Sequence, residues 1–278
     1  MPEFVTLEMV DEAVSTIRKF TKRTPEVGLI LGSGLGRLAE SVNPADIISY
    51  RDIPHWPVST IRGHKGQLVL GDLEDRPVMF MQGRAHYYEG YPMPIIGFPV
   101  RVMIRMGVKF LFVTNAAGGV NQDYEPGDVM LIKDHIALIG MCGLNPLRGP
   151  NIDEFGERFP DMSMPYDSDL LEKAKQAARE NGFSPKEGVY ICLSGPSFES
   201  PADLRFLKTI GADAVGMSTV PEVIVAKHAK MRVLGLSGIS NKANLDGSTV
   251  TTHEEVLEAG KVLVPKMEAI IRGVLKTI

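Results

Sequence analysis

The chain has 278 residues, 44% of them hydrophobic and 23% charged, enough for one large core or at most two small ones, and a single domain over residues 1–278 is expected. Its net charge of -4 argues against a nucleic-acid partner, which calls for a basic face, and no apolar stretch nears the roughly 20 residues of a membrane helix. Met1 to Phe20 is too charged for a signal peptide, and two cysteines, Cys142 and Cys192, are too few for a disulfide scaffold or a thiolate metal site, so a reducing, cytoplasmic setting is expected.

Leu7, Val10, Val14 and Ile17 recur at three- and four-residue spacing and predict an amphipathic helix over Leu7 to Phe20. Val27 to Leu31 is a short apolar run, the mark of a buried strand, and it enters the glycine turn Gly32-Ser33-Gly34-Leu35-Gly36. Gln67 to Leu73 and Val78 to Gln82 predict a hairpin across Glu74-Asp75-Arg76-Pro77. Phe110 to Thr114 predicts another buried strand, stopping at Asn115-Ala116-Ala117-Gly118-Gly119. Val129 to Leu138 is strand-like. Gly140 to Tyr166 has little periodicity and several Gly and Pro residues, which predicts a long ordered loop that is functional or packed on a neighbour. Ser168 to Asn181 reads as a helix with acidic residues at its start and Gly182 as its stop. Val189 to Leu193 and Val233 to Ile239 predict strands that lead into Ser194-Gly195-Pro196-Ser197-Phe198-Glu199 and Ser240-Asn241-Lys242. A last helix is expected from Thr252, opened by a capping box to Glu255 and continuing despite Pro265. The layout is that of an α/β domain whose strands feed loops at one face, where ligands bind in such sheets.

Several segments carry chemistry. Glycines in Gly32-Ser33-Gly34-Leu35-Gly36 let backbone N–H groups approach an anion, yet Arg37 stands where a dinucleotide fingerprint needs glycine, and a Walker A lysine is missing. Gly63-His64-Lys65-Gly66 and Gly83-Arg84-Ala85-His86-Tyr87-Tyr88-Glu89-Gly90 set cations and donors between glycines; a guanidinium holds two phosphate oxygens at once. Taken singly, each is more readily a polar turn with a solvated cation, and together with the first glycine loop they point to an anion site. Phe198 beside Glu199 offers an aromatic plane next to a carboxylate, as a flat heterocycle with N–H donors requires, although a lone phenylalanine is more commonly core. In Gly216-Met217-Ser218-Thr219-Val220-Pro221-Glu222 a short turn runs into a helix, with Ser218 as N-cap or anion ligand. The six histidines show no metal-ligand spacing, so no metal is expected. A serine nucleophile on a Gly-x-Ser-x-Gly elbow is missing too.

In this order, LGSGLG from Leu31, GHKG from Gly63, GRAHYYEG from Gly83, TNAAGG from Thr114, NPLRGPN from Asn145, GPSFES from Gly195, GMSTVPE from Gly216, SNK from Ser240 and HEEVL from His253 resemble the trimeric purine nucleoside phosphorylases over nearly the whole chain. The resemblance implies an α/β fold in which helices flank a central mixed β-sheet, a homotrimer, and no cofactor, inorganic phosphate being a co-substrate. It implies that Ser33, His64, Arg84, His86, the backbone of Ala116 and Ser218 hold phosphate. Tyr88 and Met217 would line the ribose, with His253 near its 5'-hydroxyl. Phe198 would pack on the purine, Glu199 and Asn241 would bind its edge, and Phe159 would reach a neighbouring subunit's site.

Cleaving an N-glycosidic bond builds positive charge on the sugar and negative charge on the departing purine. A phosphate dianion held beneath the sugar answers the first, so the paired carboxylates of glycoside hydrolases are not needed. Asn241 is expected to serve purine N7 as the ring gains charge, and Glu199 to accept from N1–H, which favours inosine and guanosine over adenine nucleosides. His86 joins them as a catalytic candidate. Two other readings stand beside this one: a methylthioadenosine phosphorylase, whose relatives usually carry aspartate in place of Asn241, and a non-enzymatic nucleoside sensor. A nicotinamide-dependent dehydrogenase is disfavoured by Arg37.

Overall fold

A computed structural model describes residues 3–32, 35–61, 65–247 and 253–278, with backbone alone at residues 35 and 253–257. Helix α1 (Leu7–Phe20) has the predicted bounds. Thr6 caps it, its Oγ1 accepting from the Met9 N–H at 3.3 Å, and the stripe Met9, Val10, Ala13 and Ile17 is buried, as its spacing requires. Strand β1 (Val27–Leu31) is buried throughout. A short strand β2 (Asp46–Ser49) went unpredicted; its four residues include the exposed Ile47 and offer too little alternation to read. Strands β3 (Gln67–Leu73) and β4 (Arg76–Gln82) form the expected hairpin. Its turn is tighter than predicted, because Glu74 and Asp75 both take positive φ, 51° and 59°, the geometry that two-residue hairpins favour.

Two short helices, α2 (Met93–Ile96) and α3 (Phe98–Met106), precede β5 (Phe110–Gly119). Strand β5 does not stop at Thr114 as the sequence suggested but continues through Asn115–Gly119. These small residues mark a strand squeezed between two others: Gly118 and Gly119 pair with β8 on one side and β9 on the other. A Cβ on Gly119 would meet Ile239 at 3.1 Å. Beyond it lie β6 (Val129–Ile136), the one-turn helix α4 (Leu138–Met141), and a long irregular stretch up to α5 (Ser168–Glu180). Gly182 takes φ 79° just past that helix, as a C-terminal stop should. The rest alternates: β7 (Lys186–Cys192), α6 (Pro201–Thr209), β8 (Ala214–Gly216), α7 (Val220–His228), β9 (Arg232–Lys242) and α8 (His253–Leu275). Thr252, the expected cap of α8, lies outside the described residues.

The nine strands of the described residues make one mixed sheet in the order β2-β3-β4-β1-β5-β8-β7-β6-β9, and β9 pairs back onto β5. Five strands therefore close a ring, β5-β8-β7-β6-β9. Strands β4, β1, β5 and β9 run parallel to their neighbours in this set, so their C-terminal ends share one side of the sheet. One apolar core is continuous from α1 to α8 and holds Phe80, Phe98, Phe112 and Tyr190 fully buried. Helix α7 is buried nearly all round, the mark of a helix enclosed by the fold rather than laid on it.

Candidate active site

The C-terminal ends of β1, β4, β5 and β9 bring distant motifs together. Arg84 lies two residues past β4 and is 2% exposed. Its guanidinium donates to the Thr114 carbonyl, to Thr219 Oγ1 at 3.4 Å and to Glu222 Oε1 at 3.2 Å. Thr114 in turn ties the end of β1 to the same point: its Oγ1 donates to the Ile30 carbonyl at 3.0 Å and accepts from the Gly32 N–H at 2.9 Å. Only glycine fits there, since a Cβ on Gly32 would come within 2.7 Å of the Thr114 carbonyl oxygen. Strand β8 runs antiparallel to β5 and carries the chain past Gly216 to Met217, Ser218 and Thr219. Asn115 Nδ2 donates to Thr219 Oγ1 at 2.8 Å, and the Ser218 hydroxyl lies 3.3 Å from the same atom. Arg84, Asn115 and Ser218 are thus gathered around one threonine, and Ala116 is the next residue of β5. Thr219 is the N-cap of α7 in a conformation rare for a β-branched residue, φ 76° and ψ -55°, which a structure keeps only when its surroundings overdetermine it.

His86 follows Arg84 by two residues and faces Glu89. Glu89 Oε1 accepts from the His86 backbone N–H at 2.7 Å and lies 3.1 Å from its Nδ1, while Oε2 accepts from Thr60 Oγ1 at 2.7 Å. A carboxylate only accepts, so Nδ1 carries a hydrogen and the ring is held at that atom. The His86 ring stacks on Tyr88 at 4.8 Å and 11°. Burial, then the neighbouring Glu89 charge, pushes the Tyr88 phenol up to about 12, so it stays a neutral hydroxyl. For Glu89, burial pushes the carboxyl up, but hydrogen bonds from His86 and Thr60 outweigh it and bring it from an ordinary 4.5 down to about 2. The carboxylate therefore favours the folded state at pH above the unfolded value of 4.5, and that contribution is lost as pH falls toward 2. The melting-temperature gap between the parent and Glu89→Gln is expected to be full at neutral pH and to close across this window; a gap that stays constant would show that the charge contributes nothing.

Tyr88 and Met217, which the resemblance gives to the sugar, belong to the same segments as His86 and Ser218. Gly195 takes φ 63°, and a Cβ there would strike Met217 Sδ at 2.4 Å and Tyr88 Cδ1 at 2.9 Å, so the Gly195–Glu199 loop, Met217 and Tyr88 meet. Phe198 is 51% exposed and so is not core; it is open to a ring stacked upon it. Glu199 is half-buried, and burial raises its carboxyl above the usual range. Asn241 lies in β9, which continues through Ser240-Asn241-Lys242 rather than ending before them. The pairing jumps from Ala117–Ile239 to Gly118–Asn241, leaving Ser240 as the extra residue of a bulge, a device that re-aims a side chain at a strand end. Ser240 Oγ donates to Asn241 Oδ1 at 2.9 Å, so the amide's N–H groups at Nδ2 are its remaining hydrogen-bonding capacity as a donor.

Phe159 is 86% exposed, on the irregular stretch between α4 and α5, and takes no part in this cluster within its own chain. Ser33 and His64 lie outside the described residues, as does the His253 side chain, whose backbone opens α8. Sequence reasoning passed over Thr114, Thr219, Glu222 and Glu89, although all four sit in quoted motifs. Their partners lie far along the chain, Glu222 being 138 positions from Arg84, and no local spacing reveals such a pairing.

A family model described as the phosphorylase superfamily matches residues 26–276. The chain is 53% identical over 251 residues to purine nucleoside phosphorylase 1 of Bacillus subtilis, covering 90% of this chain and 92% of that protein. It superposes on the crystal structure of Schistosoma mansoni purine nucleoside phosphorylase in complex with inosine with a TM-score of 0.94 at 40% identity, over 99% of this chain and 98% of that one. The Schistosoma enzyme in complex with guanosine gives 0.93 at 40% identity, again over 99% and 98%.

Proposed function

The chain belongs to the phosphorylase superfamily and, within it, to the purine nucleoside phosphorylases, and from that premise we propose a division of labour among its residues. The enzyme is a pentosyltransferase that cleaves inosine, guanosine and their deoxy forms to free base and the sugar 1-phosphate. Phosphate lies against Arg84, His86, Ser218 and the backbone of Ala116, with Ser33 and His64 completing its shell. The buried Arg84, fixed from β5 and α7, is the observation that carries this assignment. A guanidinium held in advance of its anion stabilises developing charge without reorganising.

The sugar occupies the space between Tyr88 and Met217, with His253 near the 5'-hydroxyl, so the dianion lies beneath the anomeric carbon. As the glycosidic bond lengthens, phosphate faces the oxocarbenium-like ribose and then closes on it. Glu89 keeps the His86 ring aimed at phosphate through Nδ1. At the departing base, the Asn241 amide N–H meets N7 while Ser240 holds its carbonyl side, Phe198 stacks on the ring, and Glu199 accepts from N1–H. Adenine offers a lone pair at N1, which an ionised Glu199 repels, and a site of this kind rejects the wrong analogue by about 10⁴ to 10⁵. No cofactor is required, because phosphate is both nucleophile and counter-charge. The exposed Phe159 suits a homotrimer in which it covers a neighbour's nucleoside. No helix among the described residues is long and apolar enough to cross a membrane, and the setting proposed is the cytoplasm, in purine salvage.

The test is release of hypoxanthine from inosine with and without phosphate, beside adenosine and methylthioadenosine under the same conditions. Phosphate-dependent cleavage confined to inosine is expected. Cleavage of the adenine nucleosides instead would keep the phosphate site and overturn the assignment of Glu199 and Asn241, and no cleavage of any would leave a nucleoside sensor.

A further inference from the structure

Glu222 has no part in the chemistry above, yet it sits where that chemistry is decided. It is the third residue of α7 and is 2% exposed. One oxygen accepts from Arg84 at 3.2 Å, and the other, Oε2, has no hydrogen-bond partner among the described residues. A buried ion pair is poor evidence for stability, since apolar residues of the same volume commonly do as well or better. A carboxylate left half-satisfied fits a stabilising role less still. What it does fix is the guanidinium. With the Thr114 carbonyl and the strained Thr219 hydroxyl, it locates the Arg84 plane from one side, and of the three it alone brings charge.

We propose that Glu222 is a positioning residue of the phosphate site, whose carboxylate aims the Arg84 guanidinium and offsets part of its positive charge, so that phosphate is aligned without being held too tightly to turn over. The proposal rests on the placement of phosphate at Arg84. Reach and charge then make opposite predictions, because two anions share one cation.

Glu222→Gln keeps the length and the accepting oxygen but removes the charge. The phosphate KM of this variant is expected to fall about threefold or more, because an anion beside the cation no longer competes with the substrate. Glu222→Asp keeps the charge but shortens its reach by one methylene, so the guanidinium is misaimed; the phosphate KM is expected to rise and kcat to fall, each by about tenfold. The inosine KM should stay within about twofold in both variants, a split that general loosening of the fold would not produce. Thermal protection of each variant by sulfate, read without turnover, should follow the same order: Gln above parent, parent above Asp. A Glu222→Gln phosphate KM that is unchanged or raised, or inosine and phosphate KM values that rise together, would overturn the proposal. Arg84→Ala run alongside separates the two failures: an unchanged phosphate dependence there removes phosphate from Arg84 itself, whereas a loss there with a silent Glu222→Gln confines the error to Glu222.

Discussion

Replacing Arg84 by alanine is expected to lower kcat for inosine phosphorolysis by about 10²- to 10³-fold, the cost of removing one preorganised charge-stabilising donor, and to raise the phosphate KM by at least about tenfold. Both parameters should move because one group binds the nucleophile and lines it up with the anomeric carbon. The substitution also strands Glu222, a carboxylate 2% exposed whose one side-chain hydrogen-bond partner among the described residues is this guanidinium, and breaking a buried pair from one side costs about 3–5 kcal/mol. A lower melting temperature should therefore accompany the kinetic loss. Arg84→Lys sorts the two effects: it restores a cation against Glu222 but not the forked geometry, so stability should recover further than turnover. Steady-state kinetics in varied phosphate, with a thermal melt of each variant, checks this. A parent-like phosphate KM in a folded Arg84→Ala protein would remove the residue from the site.

The second large effect is expected at Glu199. Substitution by glutamine removes an ionic hydrogen bond to purine N1–H, which is worth about 1.5–3 kcal/mol, so kcat/KM for inosine should fall by roughly 10- to 150-fold on that basis. Adenosine turnover has nothing to lose from the change, since the repulsion between an ionised carboxylate and the N1 lone pair disappears; the ratio of inosine to adenosine activity should drop further than inosine activity alone. Burial raises the Glu199 carboxyl above its ordinary 4.5, which sets the sign of the pH effect. Below its raised value the acid form predominates and the charge of the acceptor is lost, so the acid limb of kcat/KM for inosine should lie above pH 4.5 in the parent and be missing in Glu199→Gln. An inosine rate within a few-fold of the parent would contradict this account of base recognition.

Where one residue announces its own environment, the sequence was readable. The spacing of Leu7, Val10, Val14 and Ile17 gave α1 its limits, and the apolar run Val27–Leu31 gave β1 its own. Small residues misled. Asn115–Gly119 and Ser240-Asn241-Lys242 resemble loops, yet they are strand ends pressed between neighbours, where side chains must be small for three backbones to approach. Their pairing depends on partners in strands far along the chain, β8 and β9 for the first and β5 for the second, and a local window contains no trace of those. The candidate site divides in the same way. Arg84, His86, Glu199 and Asn241 stand out by chemical type within glycine-rich motifs, whereas Thr219 and Glu222 matter through a shared contact with Arg84. Nothing in the type of either residue sets it apart from an ordinary helix start.

The closed ring β5-β8-β7-β6-β9 has a bearing on the protein's behaviour in a crowded solution. An open sheet of nine strands presents two unpaired margins, each a template on which another chain can add. Here one margin has been abolished by folding back, since β9 spends its free side on β5. Among the described strands the remaining margin is β2, only four residues long and at the far end of the sheet from Asn241. Short margins recruit poorly. The strands that carry Asn115 and Asn241 are therefore shielded from edge-to-edge association, and fibril-like growth would have to begin at Asp46–Ser49, where exposed Ile47 is the position at which a lysine would give the greatest gain in resistance to aggregation.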